Sequence, residues 1–223
     1  MDREKLPVEL YAIHTGFLDD EIIFRKKLQQ VSYQRYEKVV SYKIKEEQKR
    51  SLAAGLLLES ILMERGYDPE NIAKEDGGKL YLPKVDDFYF SIAHSGEYAV
   101  CAIADHPVGV DIQQKRETKS KLARRFFQSS EADHIERQPK GKREELFFRY
   151  WTGKESYLKL TGKGLFGGLD SFMVDIEQSR IVDPYNHKDI FLKEYHCFED
   201  YSISVACYSS DFATFIKKIY YRL

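Results

Sequence analysis

Apolar residues recur along the chain with two distinct spacings. In EEQKRSLAAGLLLESILMERG, residues 46–66, they fall at 52, 53, 56, 57, 61 and 62. That period predicts a long helix stopping near Gly66. EELFFRYWTGKESYLKLTG, residues 144–162, predicts a second long helix, with Phe147, Trp151 and Leu158 on one apolar arc. Shorter apolar runs predict strands: VELYAIH at 8–14, then FYFSIAHS, YAVCAIAD and VGVDIQ between 88 and 113, turning at Gly96 and at His106-Pro107. GGKLYLP, residues 77–83, predicts a turn and a short strand. A Ser cap at 129 or 130 predicts a short helix. SFMVDIE, IFLKEYHCF and YSISVACYS predict three more strands.

The order of elements argues for an α+β fold. Each half runs from a long helix through a Gly-Lys turn to a strand–turn–strand, ending in YAVCAIA at 98–104 and YSISVAC at 201–207. Two similar halves related by a pseudo-twofold are expected, each a small antiparallel sheet packed with a long helix. The expected division is 1–107 and 108–223.

Composition narrows the class. Of 223 residues, 43% are hydrophobic and 32% charged, an ordinary globular balance. The net charge is −1, so an anion site must come from local clustering of Lys and Arg. Cys101, Cys197 and Cys207 are odd in number and form no CxxC, which favours buried thiols over a disulfide framework or a zinc site. The first residues are too charged for a signal peptide, and no run approaches the ~18 apolar residues of a membrane span. A cytoplasmic protein with no membrane or nucleic-acid partner is expected, acting as a monomer.

The candidate chemistry starts with Glu155. It sits at the edge of the apolar arc, away from a wet face expected to hold Arg149, Gly153 and Ser156. Taken alone, Glu155 and Lys159 read as a surface i, i+4 pair contributing about 0.3–0.5 kcal/mol. Asp111 lies inside a strand, where Asp is depleted. It is either exposed on a half-buried sheet or a hard oxygen ligand for Mg²⁺, with Gln113 two residues on. His94 is either a structural hydrogen-bonding group or a phosphate contact. Arg35, Lys38, Lys49, Arg50 and Lys79 each read singly as solvated charges. Lys49, Arg50 and Ser51 also open a helix, where the dipole favours an anion. No GxxxxGK[ST], GxGxxG, HExxH or nucleophile elbow occurs, which disfavours P-loop enzymes, dinucleotide-binding domains and zinc hydrolases.

Together these pieces resemble the 4′-phosphopantetheinyl transferases of the Sfp-like type. That family's pattern is G-[VI]-D-[IVL]-E, then about forty residues later W-[ST]-x-K-E-[SA]-x-x-K. Here GVDIQ stands at 109–113 and WTGKESYLK at 151–159, followed by GKGL at 162–165. FSIAHSG, RSLAAGLLL and GGKLYLP resemble further family segments in the right order, and the likeness spans about residues 32 to 172.

The resemblance implies transfer of the phosphopantetheine arm of coenzyme A to a serine of an acyl, peptidyl or aryl carrier protein, with release of adenosine 3′,5′-bisphosphate. It implies Mg²⁺ on Asp111 and Glu155, with Gln113 as a weak or water-mediated ligand where the family usually has a second acid. Glu155 would accept the serine proton, Lys159 would meet the leaving phosphate, and His94 would bind a pyrophosphate oxygen. Arg35, Lys38 and Arg50, with Ser51, would hold the 3′-phosphate, and Lys79 would lie by the adenine. Ala93 is a second departure, where the family often has Ser.

The segment 121–136 is the expected carrier surface. It offers Leu122, Phe126 and Phe127 beside Arg124 and Arg125, although either Phe could equally pack into the core. The competing classes are a non-catalytic coenzyme A-binding relative weakened at Gln113 and a different Mg²⁺-dependent phosphotransferase.

Overall fold

The structure is a computed structural model and describes residues 6–117, 121–164 and 168–221. Leu165, which ends the GKGL stretch, lies outside these residues.

The chain opens with β1 (Val8–His14), a single 3-10 turn and α1 (Glu21–Leu28). The carboxylate of Asp20 caps α1 by accepting from the amides of Ile22 and Ile23. Helix α2 (Tyr33–Val40) begins at Ser32, whose hydroxyl accepts from the Arg35 amide. Helix α3 (Lys45–Glu64) is the first long helix, followed by the short pair β2 (Ala73–Lys74) and β3 (Leu80–Tyr81). The next strands are β4 (Tyr89–Ser95), β5 (Tyr98–Ala104) and β6 (Val108–Gln114); β4 and β5 pair as a hairpin, and β6 crosses to the other sheet. Then come α4 (Lys121–Phe126), α5 (Ser129–Arg137) and the second long helix, α6 (Lys140–Thr161). The last strands are β7 (Met173–Asp175), β8 (Arg180–Val182), β9 (Ile190–Glu194), β10 (Tyr201–Cys207) and β11 (Phe212–Ile219).

Among the described residues the strands form two main sheets, ordered β11-β1-β5-β4 and β6-β10-β9-β8-β7. The fold class is α+β, as expected. Helix α3 packs on the first sheet through Leu52, Leu57, Leu58, Ile61 and Leu62. Helix α6 packs on the second through Leu158 and Leu160, with Val174, Leu192 and Ala206 in the same core. A third core lies between the sheets. Serine side chains stitch the sheets together: the Val110 amide donates to Ser91 Oγ at 3.1 Å, and the Gln114 amide donates to Ser95 Oγ at 3.0 Å.

Three local expectations are corrected. The first sheet is not purely antiparallel, because β11 returns to pair parallel with β1. The cap of α5 falls on Gln128 rather than on a serine, since its backbone N–H donates to Glu131 at 3.0 Å. The face of α6 opposite its apolar arc is not wet: Gly153 and Ser156 are buried. The reason is that α6 lies across β6 and β10, and Gly153 meets Val174 and Leu192. Among the described residues no helix is long and apolar enough to cross a membrane.

Candidate active site

The site is set by how closely α6 lies on β6. A Cβ at Gly109 would collide with the carbonyl oxygen of Ser156 and the amide nitrogen of Leu160. Only glycine leaves room for that approach. It brings Asp111, two residues further along β6, within reach of the partly exposed Lys159 on the same turn of α6. Lys159 Nζ lies 2.7 Å from Asp111 Oδ1, and the Gln113 amide donates to Asp111 Oδ2 at 3.1 Å. Both oxygens of a buried carboxylate are therefore engaged, as burial demands.

Glu155 lies one helical turn before Lys159. It is half-buried, and among the described residues no hydrogen bond or ion pair reaches its carboxylate. Burial and the Asp111 charge push its carboxyl above the usual range, opposed by Lys159. His94, near the end of β4, is pushed down to about 4, mainly by burial and secondly by Lys159. Its imidazole is neutral near pH 7.

The remaining groups come from the N-terminal half. Ser51 and Glu59 project from the buried stripe of α3. Ser51 is 1% exposed, and its hydroxyl has no hydrogen-bond partner among the described residues. Glu59 accepts from the Ser32 amide at 3.1 Å and from its hydroxyl at 2.7 Å. Burial raises its carboxyl, against the opposing effect of Ser32 and Arg35. Burial lowers the pKa of Arg35, with Glu59 acting the other way. Lys79 donates to the Leu160 carbonyl, tying the turn after β2 to the end of α6, and burial lowers its pKa as well.

One cleft of about 550 Å³ collects these side chains. Arg35, Lys38, Ser51, Lys79 and His94 line it from one half of the chain. Asp111, Glu155 and Lys159 line it from the other. Two expected members stand apart from its lining. Arg50 is paired with Glu47 at 2.5 Å, and Gln113 has its amide nitrogen on Asp111. Phe127 is 4% exposed and stacks on Phe147, so it belongs to the core. Phe126 is half-buried with its edge on Trp151, under the exposed guanidinium of Arg125.

Sequence reasoning passed over Glu59 and the pair formed by Lys154 and Glu131. Lys154 Nζ lies 2.8 Å from Glu131 Oε2 and donates to the Phe172 carbonyl at 2.9 Å. The signal for Glu59 was a lone acid in the leucine run LLLESIL, which needs a buried partner.

Known proteins resemble the chain over most of its length. A model of the 4′-phosphopantetheinyl transferase superfamily matches residues 107–206. A 4′-phosphopantetheinyl transferase of Bacillus subtilis is 32% identical over 188 residues, 82% of this chain and 84% of that one. The Sfp enzyme of Bacillus subtilis (strain 168) is 31% identical, with 86% and 88% covered. The gsp enzyme of Aneurinibacillus migulanus is 35% identical, with 83% and 79% covered. The chain belongs to the 4′-phosphopantetheinyl transferase superfamily, among its Sfp-like enzymes.

Proposed function

We propose that this enzyme moves the 4′-phosphopantetheine arm of coenzyme A onto a serine of an apo carrier protein and releases adenosine 3′,5′-bisphosphate. The observation that carries this reading is the shared cleft. A half-buried glutamate without a hydrogen-bonding partner faces it beside an aspartate–lysine pair, together with Arg35, Lys38 and the unpartnered Ser51 hydroxyl. The proposed division at residues 107 and 108 falls between β5 and β6, so the cleft draws on both halves.

Asp111 and Glu155 fit a magnesium ion. They are two hard oxygen donors on one cleft, and the Asp111 charge already disfavours ionisation of Glu155. Such sites use one or two carboxylates, with substrate phosphates and water completing the shell. Gln113 would reach the ion at most through water. When bound, Mg²⁺ neutralises charge on the pyrophosphate.

The protein groups then have distinct tasks, mainly positioning and charge neutralisation. Glu155 accepts the serine proton, directly or through one water. The serine oxygen bonds to the β-phosphorus as the bond from that phosphorus to the bridging oxygen breaks. Lys159, 32% exposed, can leave Asp111 to meet the leaving phosphate with its charge or a proton. Neutral His94 offers an N–H to a pyrophosphate oxygen. Arg35, Lys38 and Ser51 take the 3′-phosphate, and Lys79 lies by the adenine. The carrier docks along residues 121–136, where Arg125 and Phe126 are accessible and Arg124 is held by Asp133 and Glu136.

A panel of purified apo carrier proteins, incubated with coenzyme A and Mg²⁺, tests the reading. At least one carrier should gain the mass of phosphopantetheine. Binding of coenzyme A with no mass gain on any carrier would favour the non-catalytic alternative. Thermal stabilisation by ATP as strong as that by coenzyme A would point to another phosphotransferase.

A further inference from the structure

Ser51, Gly55 and Glu59 follow one another at four-residue spacing on α3, so they share one face. Ser51 and Glu59 line the cleft. Between them the helix has no side chain, and the stem of Arg35 occupies that gap. A Cβ built on Gly55 would lie 2.5 Å from both Cγ and Cδ of Arg35 and 2.7 Å from its Nε. Those three atoms are the nearest neighbours of that position, so the gap fits this side chain. Gly55 is also an unfavourable helix residue, costing about 1 kcal/mol against Ala in a helix interior.

Resting on the coenzyme A reading above, we propose that Gly55 is a specificity-determining position. Its missing side chain seats Arg35 across α3, directs the guanidinium toward the cleft that Ser51 also lines, and thereby sets the preference for coenzyme A over its 3′-dephospho analogue. Glu59 supports the seat from the next turn. Its carboxylate holds Ser32, the cap of the helix that carries Arg35, and its charge faces the guanidinium. Gly55 touches no substrate in this scheme and acts through Arg35. The fork of an Arg held this way suits a phosphate monoester better than a freely rotating cation does.

The test is calorimetric binding of coenzyme A and of 3′-dephospho-coenzyme A to the whole protein, with Gly55→Ala, Arg35→Ala and the double variant. The wild type should prefer coenzyme A. Gly55→Ala should weaken coenzyme A binding about tenfold or more, the scale of a lost charge-assisted hydrogen bond, and leave the dephospho analogue within about twofold. In the Arg35→Ala background the same change should do nothing further to either ligand. It should also recover melting temperature that Gly55→Ala loses, because the nearest neighbour of the new methyl is gone. That recovery can be read even if Gly55→Ala alone folds poorly. A preference left undiminished by Gly55→Ala, or a loss that persists without Arg35, overturns the seat. A wild type that binds both ligands equally overturns the 3′-phosphate assignment and the seat together.

Discussion

Among the described residues, two lysine–carboxylate pairs on helix α6 differ in what surrounds them. Lys154 and Glu131 are 0% and 2% exposed, and every contact is spoken for. Glu131 accepts from the amides of Gln128 and Val174, Lys154 donates to the Phe172 carbonyl, and the rings of Phe127 and Phe172 cover the ammonium. Lys159 and Asp111 form an equally short pair, but Lys159 reaches solvent, Glu155 stands beside it without a partner, and the cleft opens onto all three. A closed polar network fixes a frame, whereas an open one leaves valences for a ligand. The same helix does both jobs because α5 and β7 cover one flank, while the other flank borders the seam between the sheets.

The comparison breaks most sharply at Glu155. Glu155→Gln should cut phosphopantetheine transfer by about 10²–10⁴-fold, the range for a lost general base. The fold should not suffer. Burial and Asp111 hold this carboxyl above its ordinary 4.5, so the folded state binds the extra proton between that value and the folded-state pKa. The group's contribution to stability therefore falls as pH rises through that window. Removing the charge should leave the melting temperature at neutral pH unchanged or raised. Full activity in Glu155→Gln would remove the residue from the mechanism.

Next comes the closed pair. Lys154→Met leaves Glu131 buried and uncompensated and should cost about 3–5 kcal/mol in denaturant unfolding, with turnover per folded molecule nearly kept. Adding Glu131→Gln should recover part of the loss, because an amide oxygen still accepts from one of the two backbone N–H groups. A destabilisation by Lys154→Met no larger than that of Lys159→Met would erase the distinction between the two networks.

A pH–rate profile gives a gentler test. With Glu155 acting as a base, kcat/KM should fall about tenfold per pH unit on the acid side as the carboxylate takes up its proton. A profile that stays flat there, with an acid limb absent, would assign the base elsewhere.

The smallest effect is expected at Gln113. Since its amide serves Asp111, Gln113→Glu should change kcat by no more than about threefold while tightening Mg²⁺ binding, as an added carboxylate ligand would. A large gain in activity would instead mean that the natural chain is impaired at this position.

Much of this was legible in the chain before the coordinates. The bounds of β1, β4, β5 and β6 match their apolar runs to within about a residue, and α3 and α6 start and stop close to where the period places them. Those segments bury a regular face, which is what patterning reports. Helix α2 gave no such signal, because it is short and leaves Tyr33, Tyr36 and Val40 exposed. Strand β11 was missed for a related reason: it is an edge strand with Phe215 in solvent, and its partner lies some two hundred residues earlier in the sequence. In the site, Asp111, Glu155 and Lys159 announced themselves through motif spacing. The partners of Glu59 and Lys154 depend on which helices meet, which local sequence does not encode.

The return of β11 to β1 has a consequence for synthesis. The outer edge of β1 stays without this partner until residues near 219 have left the ribosome. Through that interval a growing chain exposes unpaired backbone on its first sheet, an invitation to mispairing. That sheet is therefore completed only after every described strand of the second sheet has been made, however early its other strands appear.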